Sequence, residues 1–592
     1  MRIFIIEKSE ERVYNDIGIL WGKPRIKRSY TMIRSEIRIK NGSPTLFVNG
    51  ERIAENAYIS YFGEKARYSD FAEAGYRLYS VPLYFATRSI TEYNDIPPFD
   101  EGVFEKQGEP DYTIIDRAFR RILDVCPDAY IFPRVNMALP MWWEQANPDE
   151  LCDYGNLGEH RRRHCFSSDK WAEETKRLLG LFIDHIEAAD YRDRIIGYQL
   201  AGGNTEEWLA FDFRGSIGKR SREKFAEYVK ERGISGSESE YYGFLSEMNS
   251  RRISEFAAYA KEKTDYRLII GAFYGYTFEC PQRTAAHHAL GIMLEDKNID
   301  FLCSPISYTR GRLSGEDHPC MLPLESLRRH GKLYFIENDA RTHLSGPLFD
   351  VPHFDNVNYK PRTREHSTES LKMYFARSLI NDHAHWWFDM GGGWYSYPLY
   401  MRMMRDFLEI KRESMALDNS AVAEVALVVD EHSLSGFDDE GVKTVARPVV
   451  SGIRYAMGLI GTPFVAFLAS DIELFKNDYK AVILLEPAKT ALTKRVRSEC
   501  KNVLVINAEN KDITPRELRE HLRASGVHLY LDRDAVVYAN RSYLFLHTHE
   551  RGLHDLKLRE GERLREIYGD PIDPSRDILP ENTSYLFRIE RD

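Results

Sequence analysis

The sequence predicts an α/β protein: a (β/α)₈ TIM barrel, then a Rossmann-like (flavodoxin-like) α/β domain, then a small C-terminal β-domain. Three observations support this prediction. Between about residues 55 and 415, short apolar runs alternate with longer amphipathic stretches. Three further apolar runs follow, at Val425–Val429, Ala481–Leu485 and Val503–Ile506, with helical stretches between them. From about residue 527 the apolar runs are short and separated by turn residues, which is typical of an antiparallel sheet.

The chain has 592 residues, which is too long for a single hydrophobic core. We therefore expect four regions. They are an N-terminal β segment at 1–50, the catalytic barrel at 51–418, the Rossmann-like domain at 419–526 and the β-domain at 527–592. In the first region, Asn41-Gly42 and Asn49-Gly50 flank the apolar run Leu46–Val48, which predicts a β-hairpin.

The barrel prediction depends on counting strands, because the alternative with the same alternation is an open doubly wound sheet. Eight strand–helix alternations favour the closed barrel. The predicted strands are Ala57–Tyr61, Arg77–Val81, Tyr130–Val135, Ile195–Leu200, Leu268–Phe273, Phe301–Ser304, Leu333–Ile336 and His385–Phe388. The predicted helices include Trp171–Ile186 and Ser221–Arg232.

The two C-terminal regions carry no recognisable catalytic motif. No G-x-G-x-x-G follows a strand of the 419–526 region, so we do not expect a bound nucleotide there. A small effector is one alternative role for this region, and assembly of the protein is the other. In the last region, the predicted strands are Ala535–Ala539, Tyr543–His547, Asp555–Leu558 and Ser584–Ile589.

Composition excludes several functional classes. The net charge is −10 and the charges are mixed along the chain, so no nucleic-acid partner is expected. No segment approaches the roughly 18 apolar residues that cross a bilayer, and the N-terminal apolar run is too short for a signal peptide. We therefore expect a cytoplasmic protein with no membrane partner. The seven cysteines lack C-x-x-C spacing, and Cys152, His164 and Cys165 match no standard zinc pattern. No metal and no cofactor is predicted.

Two segments place carboxylates where barrel strands end, which is where TIM barrels carry their chemistry. Ala201–Trp208 follows the fourth strand and contains Asn204, Glu206 and Glu207. A helix N-terminus would explain the same residues without catalysis. Glu337 directly follows the apolar part of the seventh strand. The alternative for Glu337 is a surface ion pair with Arg341 or Lys332.

Aromatic residues surround the same predicted rim. The eighth strand leads into Trp386–Trp394, in which two Trp stand beside Asp389 and three glycines, as a sugar-stacking platform requires. Arg134–Trp143 follows the third strand, and a hydrophobic loop plug would explain its Trp residues equally well. Tyr308 lies after the sixth strand. Two carboxylates facing each other across an aromatic barrel mouth are the arrangement that a retaining glycosidase requires.

These residues resemble clan A retaining glycoside hydrolases and, more narrowly, the group of family 42 β-galactosidases and family 164 β-mannosidases. The resemblance implies that Glu337 is the nucleophile and that Glu207 is the acid/base. It further implies that Tyr308 hydrogen-bonds the nucleophile, that Trp387 forms the sugar platform and that the Rossmann-like domain makes a homotrimer. The substrate-binding residues predicted on these grounds are Arg134, Asn136, Trp143, Asn204, Glu206, Tyr308, Trp387 and Asp389.

The sequence departs from the clan at one position. The clan usually carries Asn immediately before the acid/base, whereas Glu206 precedes Glu207 here. Glu206 is therefore a rival for the acid/base role. The sequence as a whole predicts a retaining exo-β-glycosidase acting on a terminal β-galactoside or β-mannoside. The alternative from another class is a catalytically inactive barrel that binds glycans.

Overall fold

Eight parallel strands close into a barrel, which confirms the predicted fold class and excludes the open sheet. β1 pairs with both β2 and β8, and each intervening strand pairs with its neighbour in sequence order. A computed structural model describes residues 32–87, 98–153, 162–203, 206–210, 218–308, 312–346, 360–569 and 571–591. The strands are β1 Asn56–Ile59, β2 Leu78–Tyr79 and Pro82–Tyr84, β3 Tyr130–Ile131 and Arg134–Asn136, β4 Gly197–Ala201, β5 Ile269–Phe273, β6 Phe301–Pro305, β7 Leu333–Asn338 and β8 Ala384–Phe388.

Aromatic side chains fill the barrel interior. The ring of Phe132 on β3 lies 5.2 Å from that of Phe335 on β7, a contact that is only possible across the barrel. Trp386 on β8 lies 5.5 Å from Phe335, and all three rings are fully buried. The interior is thus a packed core, and a site can form only at an end of the barrel.

The longer α-helices of the described part of the barrel region each bury an apolar face, except Lys219–Arg232, whose one buried residue is Ser221. In Asp169–Ala188, for example, Trp171, Leu178, Phe182 and Ile186 are buried, and the Ser168 hydroxyl caps the helix by accepting from Trp171 N at 2.9 Å. The helices are Tyr68–Glu73, Thr113–Leu123, Met141–Ala146, Asp169–Ala188, Lys219–Arg232, Glu238–Lys263, Leu290–Glu295, Leu324–Arg329, Arg364–Ile380 and Pro398–Ser414.

The predicted N-terminal hairpin forms from Ser35–Lys40 and Ser43–Val48, with Glu51–Arg52 as a third strand. Asn41 and Gly42 both take positive φ angles, as the tight turn between the strands requires. Ser35 N donates to the carbonyl of Arg267, just before β5. The hairpin therefore covers the end of the barrel where the strands begin, and leaves the opposite end to the site.

The second α/β region has a parallel sheet of four strands in the order Val465–Leu468, Val425–Val429, Ala481–Leu485, Val503–Ile506. Three of these strands were predicted. Val465–Leu468 was not, because it is a half-buried edge strand whose apolar run is short. The helices of the region are Asp439–Gly441, Ile453–Gly458, Ile472–Phe475, Ala491–Glu499 and Pro515–Ala524, and a π-helix spans Val442–Gly452.

The C-terminal sheet is antiparallel, in the order Ala535–Ala539, Tyr543–Thr548, Ser584–Arg591, Glu562–Glu566. The predicted strand Asp555–Leu558 is wrong, because that segment is irregular and Glu562–Glu566 occupies the sheet edge instead. This edge strand, ERLRE, carries four charged residues and therefore no apolar signal. Gly552–Leu553 and Ile578–Leu579 form a separate two-stranded sheet.

The barrel, the parallel four-stranded sheet and the four-stranded antiparallel sheet lie within the ranges predicted for them, and the domain boundaries stay predictions. Of the helices in the described ranges, none combines the length and the hydropathy that crossing a bilayer would require.

Candidate active site

Arg134 is the centre of a buried polar cluster at the end of the barrel where the strands finish. Its guanidinium donates to one oxygen of Glu337 and, at 3.2 Å, to one oxygen of Glu206. A third bond, from Nε, reaches Gln199 Oε1 at 3.1 Å. The guanidinium carbon also lies 4.7 Å from the ring centre of Phe273. Arg134 is 1% exposed, so its charge is balanced by these carboxylates rather than by water.

Glu337, the penultimate residue of β7, lies inside this cluster. The hydrogen bonds that its carboxylate accepts among the described residues come from Arg134 and, at 3.1 Å, from the indole nitrogen of Trp386. Burial raises the pKa of Glu337, Arg134 lowers it and the negative charge of Asp339 raises it again, which leaves the pKa at about 7. A buried carboxyl that titrates near neutral pH is typical of a catalytic group.

The loop after β4 carries both candidate acid/base residues in a strained backbone. Glu206 and Trp208 take φ angles of 66° and 58°, which non-glycine residues rarely adopt. Trp208 N donates to Gly202 O at 2.8 Å, and its indole donates to Leu200 O at 3.0 Å, so the loop folds back onto β4. A Cβ on Gly202 would lie 2.9 Å from the Trp208 ring, which explains why this position carries glycine.

The two adjacent glutamates point into different surroundings. Glu206 is 1% exposed and binds Arg134; burial raises its pKa, and Arg134 lowers it in part. Glu207 is only partly buried, and one of its oxygens accepts a bond from the Tyr276 hydroxyl at 3.2 Å. Glu206 therefore belongs to the interior of the cluster, whereas Glu207 lies nearer its open side.

Three tyrosines that sequence reasoning missed complete the cluster. Burial is the largest cause that raises the pKa of the Tyr61 phenol, and the charges of Glu206, Glu337 and Glu207 raise it further. Burial and Glu207 raise the pKa of Tyr276, and burial and Glu206 raise that of Tyr84. Each of them ends a barrel strand or follows one closely, and that position is the signal that could have identified them.

Trp387, the predicted sugar platform, does not face the polar cluster. Its side chain points outward from β8, where its indole donates to the Tyr76 hydroxyl at 3.0 Å and its ring packs on Phe407 of the helix Pro398–Ser414. Successive side chains of a strand point to opposite faces, so the inward Trp is Trp386. Trp386 lies in register with Glu337 and donates to it.

Asp389, predicted to bind substrate, instead holds the loop after β8. It is fully buried, and its oxygens accept from Tyr58 Oη at 2.9 Å, Gly393 N at 2.7 Å and Trp394 N at 2.8 Å. Burial raises its pKa to about 6 against these donors. With three internal partners, the carboxylate fixes the loop, and its predicted contact with substrate stays a prediction.

The four remaining predicted residues have different outcomes. Asn136 ends β3 beside Glu206, and its side chain helps to lower the pKa of that carboxyl. Trp143 is buried in the helix Met141–Ala146, which favours the hydrophobic plug that was its alternative. Tyr308 lies on the rim, where burial is the largest cause of its raised pKa and the charges of Asp339, Glu207 and Glu337 raise it further. Glu337 nevertheless accepts its hydrogen bonds from Arg134 and Trp386. Asn204 lies outside the described residues.

Within the described ranges, no group of three or more His, Cys, Asp or Glu side chains has the arrangement of a metal site. Of the residues weighed as metal ligands, His164 stacks on Trp171 at 4.3 Å and the Cys165 thiol lies 3.0 Å from Ser221 Oγ. Both side chains are thus used in packing and hydrogen bonding.

Comparison with known proteins places this geometry in a familiar fold. No family model and no curated protein matches the sequence. Solved structures do match. A β-galactosidase from Rahnella sp. R3 is similar with a TM-score of 0.59 and 11% sequence identity, and the match covers 91% of this chain and 99% of that one. A β-galactosidase from the psychrophilic Marinomonas ef1 has a TM-score of 0.58 and 11% sequence identity, and the match covers 90% of this chain and 100% of that one. The exo-carrageenase GH42 from Bacteroides ovatus has a TM-score of 0.59 and 10% sequence identity, and the match covers 94% of this chain and 85% of that one. The predicted resemblance to the family 42 group is thereby confirmed as a resemblance of fold.

Proposed function

We propose that this chain is a retaining β-glycosidase that removes a terminal sugar, with Glu337 as nucleophile and Glu207 as acid/base. The observation that carries the proposal is the buried cluster in which Arg134 and Trp386 bind Glu337, one side chain away from the loop that holds Glu207. The cluster lies at the strand ends of a barrel that shares its fold with solved β-galactosidases.

The surroundings of Glu337 suit a nucleophile. In the first step, a carboxylate oxygen bonds to the anomeric carbon while the glycosidic C–O bond breaks, and the acid/base gives its proton to the leaving oxygen. The bond from the Arg134 guanidinium favours the ionised form that can attack. As the ester forms, the negative charge leaves Glu337, and Arg134 stays neutralised by Glu206. Water then attacks the anomeric carbon, its proton passes to Glu207 and the ester bond breaks.

Exposure supports Glu207 over Glu206 as the acid/base. This group must reach the leaving oxygen and then a water molecule, so it must lie on the open side of the cluster. Glu207 is partly buried, whereas Glu206 is 1% exposed and bound to Arg134. The Tyr276 hydroxyl donates to Glu207 and would orient its carboxyl toward the substrate.

For the sugar, we propose a terminal β-galactoside, because two of the similar structures are named β-galactosidases. A β-mannoside is the second candidate that the sequence suggests. For assembly, we propose that the 419–526 region forms a homotrimer. Light scattering after gel filtration tests this directly, and a monomer at micromolar concentration would remove the proposal.

The test of function is hydrolysis of a panel of aryl α- and β-glycosides by wild type, Glu337→Ala and Glu207→Ala. We expect cleavage of one β-glycoside, loss of turnover in Glu337→Ala, and rescue by azide with an inverted glycosyl azide as product. Glu207→Ala is the matched control, since azide rescue there must give the retained product. Sugar binding without any turnover would instead support the glycan-binding barrel.

A further inference from the structure

A small two-stranded sheet in the barrel region brings two cysteine thiols together. Its antiparallel strands are Leu151–Asp153 and Arg162–His164, and Cys152 is paired with Arg163. Cys165 directly follows the second strand, and its backbone N still donates across the pair at 2.9 Å. Because Cys165 is two residues beyond Arg163, it points to the same face of the sheet as Cys152.

The start of the helix Lys219–Arg232 packs against both thiols. Cys165 Sγ lies 3.0 Å from Ser221 Oγ, in the first turn of the helix. A Cβ on Gly218, the residue before the helix, would lie 2.8 Å from Cys152 Sγ, so this thiol needs a glycine there. The two sulfurs therefore converge on one helix turn, where the Cys152 thiol hydrogen-bonds to that of Cys165.

Hydrogen bonds favour the ionised form of Cys165. The bond from Cys152 is the largest cause that lowers its pKa; burial raises the pKa, and bonds from Ser221 and from the backbone and hydroxyl of Ser167 lower it further. The thiolate is the nucleophilic form of cysteine. Burial raises the pKa of five other thiols, those of Cys126, Cys280, Cys303, Cys320 and Cys500.

We propose that Cys152 and Cys165 are a redox-active pair that a peroxide converts into a disulfide. Both are thiols in the structure. Cys152 is half-buried and Cys165 is 1% exposed, so Cys152 meets the oxidant first and Cys165 completes the reaction.

The chemistry balances with one peroxide. The Cys152 sulfur bonds to a peroxide oxygen while the O–O bond breaks, and the thiol proton passes through the Cys165 thiolate to the departing hydroxide, which leaves as water. The Cys165 thiolate then attacks the sulfenic sulfur of Cys152. The S–S bond forms, the S–O bond breaks and hydroxide leaves. The two sulfurs together lose two electrons, and the peroxide gains them.

The pair borders the loop of the active site without belonging to it. Phe166, the residue after Cys165, has its ring 5.9 Å from that of Trp208, which follows Glu207 in the loop after β4. To form the bond, the two sulfurs must move from hydrogen-bonding contact to bonding distance. Their strands have three residues each and form a sheet of their own, so this movement disturbs no ladder of the barrel. The proposal does not depend on glycosidase activity, because oxidation is measured without substrate.

Mass spectrometry of the full-length, folded protein after brief treatment with hydrogen peroxide tests the proposal. We expect two of the seven cysteines to escape alkylation and the mass to fall by about 2 Da, with dithiothreitol restoring both values. Trypsin cuts after Arg161, Arg162 and Arg163, so the disulfide should join two separate peptides, 135–161 and 164–170. It should form at least about tenfold faster than Cys500 is oxidised, since Cys500 has a raised pKa.

Three variants separate the two roles from general oxidation. Cys165→Ser should leave a sulfenic acid on Cys152 that dimedone traps, and Cys152→Ser should leave Cys165 open to alkylation. Cys500→Ser, which removes another half-buried thiol, should form the disulfide as wild type does. Seven alkylated cysteines after peroxide, a disulfide between other peptides, or oxidation of Cys500 at the rate of the pair would each overturn the proposal. If a variant fails to fold, the linked peptides of wild type still decide it.

Discussion

Two buried arginine–carboxylate clusters lie near the mouth of the barrel, and they differ in how their charges are balanced. In the first, one guanidinium, that of Arg134, serves both Glu206 and Glu337. In the second, Arg454 serves Glu279, which also accepts from the Ser307 hydroxyl at 2.6 Å and from the backbone N of Tyr308. All of these carboxylates are deeply buried, so burial alone does not distinguish the two clusters.

The pKa values show the consequence. Burial would raise the pKa of Glu279, but Arg454 and the two hydrogen-bond donors outweigh it and hold that pKa below its usual value. Burial of Glu337 is offset only in part by the shared Arg134, so its pKa rises to about 7. A buried carboxylate with complete compensation stays ionised and supports the structure, whereas one with incomplete compensation titrates near neutral pH, as groups at functional sites often do.

The largest expected effect separates the two adjacent glutamates. Glu207→Gln should lower turnover of aryl glycosides with poor leaving groups by about 10²–10⁴-fold, because the proposed proton donor to the leaving oxygen is lost. Turnover of a dinitrophenyl glycoside, whose leaving group needs no proton, should fall far less in its first step. Values of kcat/KM across a series of aryl leaving groups measure the effect on poor leaving groups and on the dinitrophenyl group.

Glu206→Gln is the matched variant. Because Glu206 binds Arg134 rather than the open side of the cluster, its loss should affect all leaving groups alike. If the leaving-group dependence instead appears in Glu206→Gln and not in Glu207→Gln, the two roles must be exchanged.

The second prediction concerns stability, and the two clusters should respond with opposite signs. Glu337 has a folded-state pKa of about 7 against roughly 4.3 in an unfolded chain, so between these values only the folded state holds the proton. The free energy of unfolding therefore falls as the pH rises through this window. Glu337→Gln has no carboxyl to titrate, so it escapes this fall in the free energy of unfolding. At pH 8 it should be more stable than wild type by on the order of 1–3 kcal/mol.

Glu279→Gln should do the reverse. The lowered pKa of Glu279 means that its contribution is present above the unfolded-state pKa and is lost as the pH falls. At pH 8 the variant leaves Arg454 buried beside a neutral group, which should cost about 3 kcal/mol. Denaturant unfolding at pH 4 and pH 8 checks both variants. If the free energy of unfolding at pH 8 changes in the same direction in both variants, the distinction between the two clusters is refuted.

Much of the fold could be predicted from sequence because barrel strands are buried on both faces. Runs such as Leu268–Phe273 are then nearly continuous in apolar residues and easy to recognise. Edge strands carry no such signal: Val465–Leu468 is half-buried and Glu562–Glu566 is mostly charged, and both were missed.

The site was harder to predict because it depends on which side of a strand a residue faces. Glu337 and Arg134 were identified from their positions at strand ends. The choice between Trp386 and Trp387 needs the register of β8 against β7, and only the structure supplies the pairing of Glu337 with Trp386. Tyr61 and Tyr276 are single residues beyond strand ends, and their role emerges only when several loops meet.

The third prediction has the smallest effect and tests this assignment of faces. Trp387→Phe removes the bond to the Tyr76 hydroxyl and should lower the free energy of unfolding by about 1–2 kcal/mol, with kcat unchanged. Trp386→Phe removes a donor to Glu337, so the pKa of that carboxyl should rise and the acidic limb of kcat/KM should move to higher pH. Each variant should be followed by pH–rate profiles and by thermal unfolding. An unchanged profile in Trp386→Phe would show that the inward ring does not tune the proposed nucleophile, and a shifted profile in Trp387→Phe would show that the outward ring does.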